Sequence, residues 1–110
     1  MKDVLGGFEH EVLLAAVRLG KDAYAASIVV ELEERSEREV AAAAVHIALK
    51  RLEGNGYVRS SLRRRDGPGG NRERRYVTVT AAGIAQLSTA RDRLMRLWGG
   101  IEDKLGKAGT

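Results

Sequence analysis

The chain contains no cysteine among its 110 residues, which excludes disulfides and thiolate metal sites. That composition fits a reducing compartment, and the expected location is cytoplasmic. Aromatic residues are few: Phe8, Tyr24, Tyr57, Tyr76 and Trp98. Any core must therefore be built mainly from Leu, Val, Ile and Ala. Long apolar runs are missing too, so no segment reaches the roughly 20 residues needed to cross a bilayer, and no membrane partner is expected. Residues 1–7 are too short and too mixed for a signal peptide. The single proline, Pro68, lies in Gly67-Pro68-Gly69-Gly70. No lysine-serine pair follows this stretch and no helix opens there, so it reads as a turn and not as a phosphate-binding loop. A cysteine nucleophile is absent, and no Ser/His/Asp set has plausible spacing, so no enzyme and no cofactor is expected. His10 stands alone in its helix with only one other histidine in the chain, so no metal site is expected.

What the chain does have is a concentrated positive charge. Residues 59–75 carry seven arginines (59, 63, 64, 65, 72, 74 and 75) against Asp66 and Glu73, a net +5, while the whole chain is +4. Residues 1–40 carry five basic and nine acidic groups, and residues 41–80 carry nine and three. An acidic scaffold with a basic middle points to a polyanion-facing surface. The Gly67–Gly70 turn splits the basic segment into two arms, and each arm continues into strand-like sequence. The reading is a basic β-hairpin.

The length predicts one domain with a modest core. Phe8, Val12, Ala15, Ala16 and Leu19 form one apolar stripe, predicting a helix over 8–19 that Gly20 stops. Lys21-Asp22 reads as a short turn. A second helix is expected from about Ala23 to Arg35, with Tyr24, Ile28 and Leu32 inward. Glu31, Glu33 and Glu34 read as its solvated acidic face, and Tyr24 and Tyr57 as core anchors with a wet hydroxyl. A third helix is expected from about Ala41 to Glu53. Val45, Ala48, Leu49 and Leu52 face the core, and Ala43, His46, Ile47 and Lys50 lie opposite. Arg51 points sideways, toward Glu53, Asp22 or a phosphate. Gly54-Asn55-Gly56 ends the helix with residues that tolerate positive φ.

Strands are expected over Tyr57–Leu62 and Arg74–Val79. Thr80 then caps a final helix carrying Ile84, Leu87, Leu94, Leu97 and Trp98. Gly99-Gly100 threatens to end it, and residues 106–110 read as a frayed tail. The fold class is mainly α with a small β-hairpin. It divides into a winged helix-turn-helix over 1–80 and a C-terminal helix over 81–105 within the same compact unit.

At this point the chain resembles the PadR-like family of bacterial transcriptional regulators. The resemblance covers about Leu5 to Trp98. It rests on Phe8–Gly20, on Asp22-Ala23-Tyr24, on Leu49–Val58 and on Arg74–Gly83. The Leu-Lys-Arg-Leu-Glu-Gly run and the junction from Tyr76 to Thr80-Ala81-Ala82-Gly83 are specific when they occur together in this order. The resemblance implies a dimeric cytoplasmic DNA-binding protein, usually a repressor. It implies that the third helix enters the major groove and that the wing reaches the minor groove or flanking phosphates. The C-terminal helix would pair with its twin, helped by the N-terminal helix. Two positions depart from the family's pattern. Ala41 stands where serine or threonine often opens the recognition helix, and His46 where a tyrosine is common. Fewer polar groups can then touch bases.

The candidate DNA-contacting residues are Ala43, His46, Ile47 and Lys50 on the third helix and Arg63, Arg64, Arg65, Arg72 and Arg74 on the wing. Arginine suits phosphate because its planar guanidinium offers a fork of donors. Arg65 and Arg72 flank the turn and are the ones expected at a narrow minor groove. The candidate dimer residues are Phe8, Leu87, Leu94, Leu97, Trp98 and Ile101. Trp98, the only tryptophan, is the one residue suited to stack a flat aromatic effector between subunits. A second reading is kept beside the first: a winged-helix interaction module whose basic hairpin meets an acidic protein.

Overall fold

The computed structural model describes residues 5–64 and 73–106. In chain order it has helices α1 (Gly7–Leu19), α2 (Ala25–Ser36) and α3 (Ala42–Gly54), strands β1 (Val58–Arg64) and β2 (Glu73–Val79), then helices α4 (Ala81–Trp98) and α5 (Glu102–Gly106). A single 3-10 turn, Gly20–Asp22, links α1 to α2. The expected winged helix-turn-helix is the fold observed, with β1 and β2 as an antiparallel hairpin.

Helix α1 is the central element. Val12, Leu13, Ala15 and Ala16 are all buried, because α2, α3 and β2 pack around it. Leu13 lies off the single stripe read from the sequence, yet it has no exposed surface. Ile28 and Leu32 of α2, Val45, Ala48 and Leu52 of α3, and Val58 and Val77 of the hairpin complete the core. Helix α3 presents its two faces as expected. Its inward residues are buried or half-buried, while Ala43, His46, Ile47 and Lys50 are exposed.

Helix α2 starts later than the sequence suggests. Tyr24 is extended, with φ −151° and ψ 170°, and serves as the N-cap residue. Ser27 holds this start: its hydroxyl accepts from the Tyr24 amide at 3.0 Å and donates to the Asp22 carbonyl at 2.8 Å. The extended segment pairs with the hairpin, since Val77 N–H donates to the Ala23 carbonyl at 2.9 Å and Tyr24 bridges Tyr76. That pairing also breaks the expected period-2 burial of β2. Tyr76 and Val77 are adjacent in sequence and point to opposite faces, yet both are buried. The core covers Val77, and the ring of Tyr24 stands against Tyr76.

The acidic end of α2 is not simply solvated. Glu31 pairs with Arg18 at 3.4 Å and with Arg35, and its side chain is only 16% exposed. Glu33 accepts the Val40 amide at 3.0 Å, which ties α2 to the approach to α3.

The junction between hairpin and α4 is tight. Thr80 Oγ1 accepts the Gly83 amide at 3.0 Å and donates to the Gly56 carbonyl at 2.6 Å. The Thr80 amide donates to the Tyr57 carbonyl at 3.0 Å. Gly56 sits at φ +81°, a conformation that favours glycine. A Cβ on Gly83 would stand 2.3 Å from the Tyr57 carbonyl oxygen and 2.8 Å from Val79 Cγ1. Glycine is therefore required where α4 crosses the exit from α3. Helix α4 ends at Trp98, Gly100 sits at φ +88°, and a separate turn of helix follows. Residues 107–110 of the expected tail lie outside the described residues.

Gly83→Ala should lower stability by about 1–3 kcal/mol through overpacking against backbone. Thermal unfolding followed by circular dichroism checks this. The midpoint should fall by several degrees, whereas Ala82→Gly, at an exposed position, should cost about 1 kcal/mol or less.

Candidate nucleic-acid interface

The exposed face of α3 and one face of the hairpin meet along a solvent-open hollow of about 300 Å³. From α3 it is lined by His46, Leu49, Lys50 and Glu53, and from the hairpin by Ser60, Arg75 and Val77. The strand register explains why. Val58 pairs with Val79, Ser60 with Val77 and Leu62 with Arg75, so these residues share the face that begins on the core and extends outward past α3. Arg75 donates from Nη1 to Ser60 Oγ at 3.1 Å, and Ser60 donates to Glu53 Oε2 at 2.9 Å. This chain links the wing to the last turn of α3 and holds the Arg75 guanidinium beside His46 and Lys50.

The other face of the hairpin carries Arg59, Ser61, Arg63, Arg74, Tyr76 and Thr78. Two of its arginines are already engaged within the protein. Arg63 lies 3.9 Å from the ring centroid of Tyr76 and donates to the Lys21 carbonyl at 2.9 Å. Arg74 lies 4.1 Å from the ring centroid of Tyr24, and its Nη1 is buried with no hydrogen-bond partner among the described residues. Arg59, Arg64 and Lys50 make no ion pair among the described residues.

The structure therefore divides the sequence-predicted contacts. It brings His46 and Lys50 together with the wing, and it leaves Ala43 and Ile47 exposed on the same helix. It leaves Arg64 exposed and draws Arg63 and Arg74 back onto tyrosine rings. Arg65 and Arg72 lie outside the described residues. Strand alternation puts Arg75 on this hollow once Val77 is placed on the core face. Arg51 pairs with neither Glu53 nor Asp22 among the described residues and meets Glu9 of α1 at 3.5 Å.

Helix α3 opens without a side-chain cap, because Ala41 is the N-cap residue and has no hydroxyl. Ala42 and Ala43 are exposed beside it, so the start of the helix offers small side chains and bare backbone. A surface of this kind can approach another backbone closely.

A second surface lies on α4. Ile84, Leu94, Met95, Leu97 and Trp98 are each 46–66% exposed, as is Leu14 of α1 at 48%. His10, Leu14, Ile84, Leu87, Leu94, Met95 and Trp98 line a trough of about 600 Å³ between the two helices. Of the residues expected at a dimer contact, Leu87, Leu94 and Trp98 meet there. Leu87 is already largely buried within the protomer. Leu97 and Ile101 are exposed but do not line the trough, and Phe8 stands apart from it. Phe8 lines a different hollow, beside Ala44, Ile47 and Arg51, because it projects from the end of α1 that packs on α3. Among the described residues no His, Cys, Asp and Glu side chains cluster to hold a metal, and no helix is long and apolar enough to cross a membrane.

Comparison with known proteins agrees with this architecture. No curated protein matches the chain. A PadR-family transcription regulator from Clostridium difficile is similar in structure, with 24% identity and a TM-score of 0.66, covering 87% of this chain and 96% of that one. A PadR-family transcriptional regulator from Eggerthella lenta has 23% identity and a TM-score of 0.65, covering 86% and 80%. A transcriptional regulator from Clostridium thermocellum has 20% identity and a TM-score of 0.68, covering 88% and 89%. The family model of the transcriptional regulator PadR-like family matches residues 13–89, which run from the middle of α1 through the first half of α4. The chain belongs to the transcriptional regulator PadR-like family.

Proposed function

We propose that the protein is a dimeric, sequence-specific DNA-binding regulator that acts as a repressor. Helix α3 reads the major groove and the hairpin holds the flanking backbone. The observation that carries this reading is the convergence of Lys50, His46 and Arg75 on one open hollow between α3 and the wing. These side chains come from two elements, and they gather along the middle and last turn of α3, beyond its alanine-rich start. A helix reaches base edges only if its surface fits the groove, and Ala42 and Ala43 allow that approach. Lys50, Arg64 and Arg75 then supply the phosphate contacts that set affinity and register. Ile47, 56% exposed, offers an apolar contact suited to a thymine methyl.

Dimerisation rests on the apolar strip of α4. Monomers rarely expose a contiguous apolar patch of this kind. A two-fold pairing of α4 helices would bury Leu94 and Trp98 of both copies and present two α3 helices to one face of a duplex. Domain roles follow: residues 1–80 bind DNA and residues 81–105 pair. Binding a flat aromatic effector at Trp98 would use the same trough.

Fluorescence anisotropy tests the DNA reading, using a duplex taken from upstream of the protein's own gene and a scrambled duplex over a salt series. The specific duplex should bind more tightly, with a steep loss of affinity as salt rises. Lys50→Ala and Arg75→Ala should each weaken binding and each reduce the slope of log affinity against log salt by about 0.9, the value for one phosphate contact. Equal, weak binding to both duplexes would remove the DNA reading in favour of an acidic protein partner for the hairpin. For the dimer, sedimentation velocity of Leu94→Glu should show a shift to monomer, because pairing would bury an unpaired charge. A dimer of unchanged strength would place the pairing surface elsewhere.

A further inference from the structure

We infer that Arg63 and Arg74 are positioning residues that set the angle of the wing through Tyr76 and Tyr24, and that they are not phosphate contacts. The inference deepens the DNA-binding reading and rests on it for its consequence, but the clamp itself is a property of the free protein.

The four side chains form one continuous cluster. Tyr24 and Tyr76 meet edge to face, with centroids 5.4 Å apart and planes at 68°. Arg63 covers Tyr76 and Arg74 covers Tyr24, at 3.9 and 4.1 Å from the centroids. A guanidinium at that distance is attracted to the electron-rich face of the ring, the more so where water is excluded.

Register makes the arrangement necessary. Arg63 is directly opposite Arg74 in the hairpin, and like charges placed there repel. Each charge instead has its own ring. The cluster also crosses between two parts of the fold. Tyr76 belongs to the wing, whereas Tyr24 opens α2 inside the helix-turn-helix. Arg63 adds a hydrogen bond to the Lys21 carbonyl, which lies in the turn between α1 and α2. The cluster therefore joins the wing to the helix-turn-helix at side-chain level, beside the backbone bond from Val77 to Ala23.

The same geometry removes these arginines from the DNA surface. Arg74 Nη1 is buried and has no partner among the described residues, and its guanidinium lies over the Tyr24 ring, so reaching a phosphate would require leaving the ring. Arg63 has committed one nitrogen to a carbonyl. Their cross-strand face is also the one opposite Arg75, Ser60 and the hollow beside α3. The wing thus divides its arginines by face, with one pair spent on orientation and Arg75 turned toward α3.

Two readouts test this on the full-length protein. The first is amide hydrogen exchange without DNA. Arg63→Ala with Arg74→Ala, and separately Tyr76→Leu, should raise exchange in β1 and β2 by tenfold or more, with exchange at the centre of α1 unchanged. Tyr76→Phe keeps the ring and should behave as the parent. The second is anisotropy on the own-promoter duplex over a salt series. Tyr76→Leu, which changes no charge, should weaken binding several-fold with the salt slope intact. The double arginine variant should do the same, with a slope loss well below the roughly 1.8 expected for two phosphate contacts. A slope loss near 1.8 with unchanged exchange would overturn the inference. So would raised exchange with unaltered DNA affinity, which would make the cluster structural only. Arg63→Ala alone, at an exposed position, keeps the test available if the double variant is unstable. Because the exchange arm needs no DNA, a parent protein that ignores both duplexes sinks the DNA reading separately.

Discussion

The hydroxyl of Thr80 bonds in two directions, and most of the functional geometry depends on it. It accepts the amide of Gly83 and so starts α4. It also donates to the carbonyl of Gly56 and so fixes the chain as it leaves α3. One side chain therefore connects the end of the proposed reading helix, the return strand of the wing and the start of the proposed pairing helix. The amide of Thr80 adds a bond to Tyr57, and Gly83 lets α4 cross within contact of the same peptide. A dimeric reader needs its two reading helices at a fixed separation. In a dimer paired through α4 that separation would follow the angle between α3 and α4, to which the Thr80 junction contributes beside the packing of α4 on α1 and β2.

Rigidity of the wing comes from different chemistry. The hairpin extends beyond the core, since β1 residues 59 and 61–64 are exposed and only Val58, Tyr76 and Val77 of the two strands are buried. Two strands alone are marginal in water. An isolated bridge from Tyr24 to Tyr76 supports β2, the tyrosine rings cover the outer face, and the Glu53–Ser60–Arg75 chain ties the inner face to α3. The wing is held from both sides, by apolar and cationic contacts behind and by polar contacts in front. Such preorganisation spares the ordering cost that a loose arginine-rich loop would incur on binding.

Much of this was legible in the residues. The two faces of α3 follow from spacing alone, because Val45, Ala48 and Leu52 alternate regularly with Ala43, His46 and Lys50. The Thr80 cap and the glycine exit from α3 were equally plain, since each uses a residue whose backbone chemistry is local. What was hidden depends on distant neighbours. Leu13 is buried because α1 is surrounded, and a one-stripe pattern does not reveal a surrounded helix. The extended start of α2 is set by β2, about 50 residues further on. The engagement of Arg63 and Arg74 by tyrosine rings, with Arg75 on the opposite face, could not be read from charge. It needs the strand register and the position of Tyr24, and neither is encoded near residues 59–75. The partners of Arg51 and Glu31 were missed for the same reason.

The plain alanine surface at the start of α3 has its own consequence. Ala42 and Ala43 touch no part of the core, carry no cap and face outward. Larger or more polar side chains could stand there with the scaffold unaltered. The fold thus separates the residues that keep it folded from those that the proposed reading sets against DNA. A duplicated copy of this chain could drift to a new binding sequence through two adjacent codons while every buried contact stayed the same.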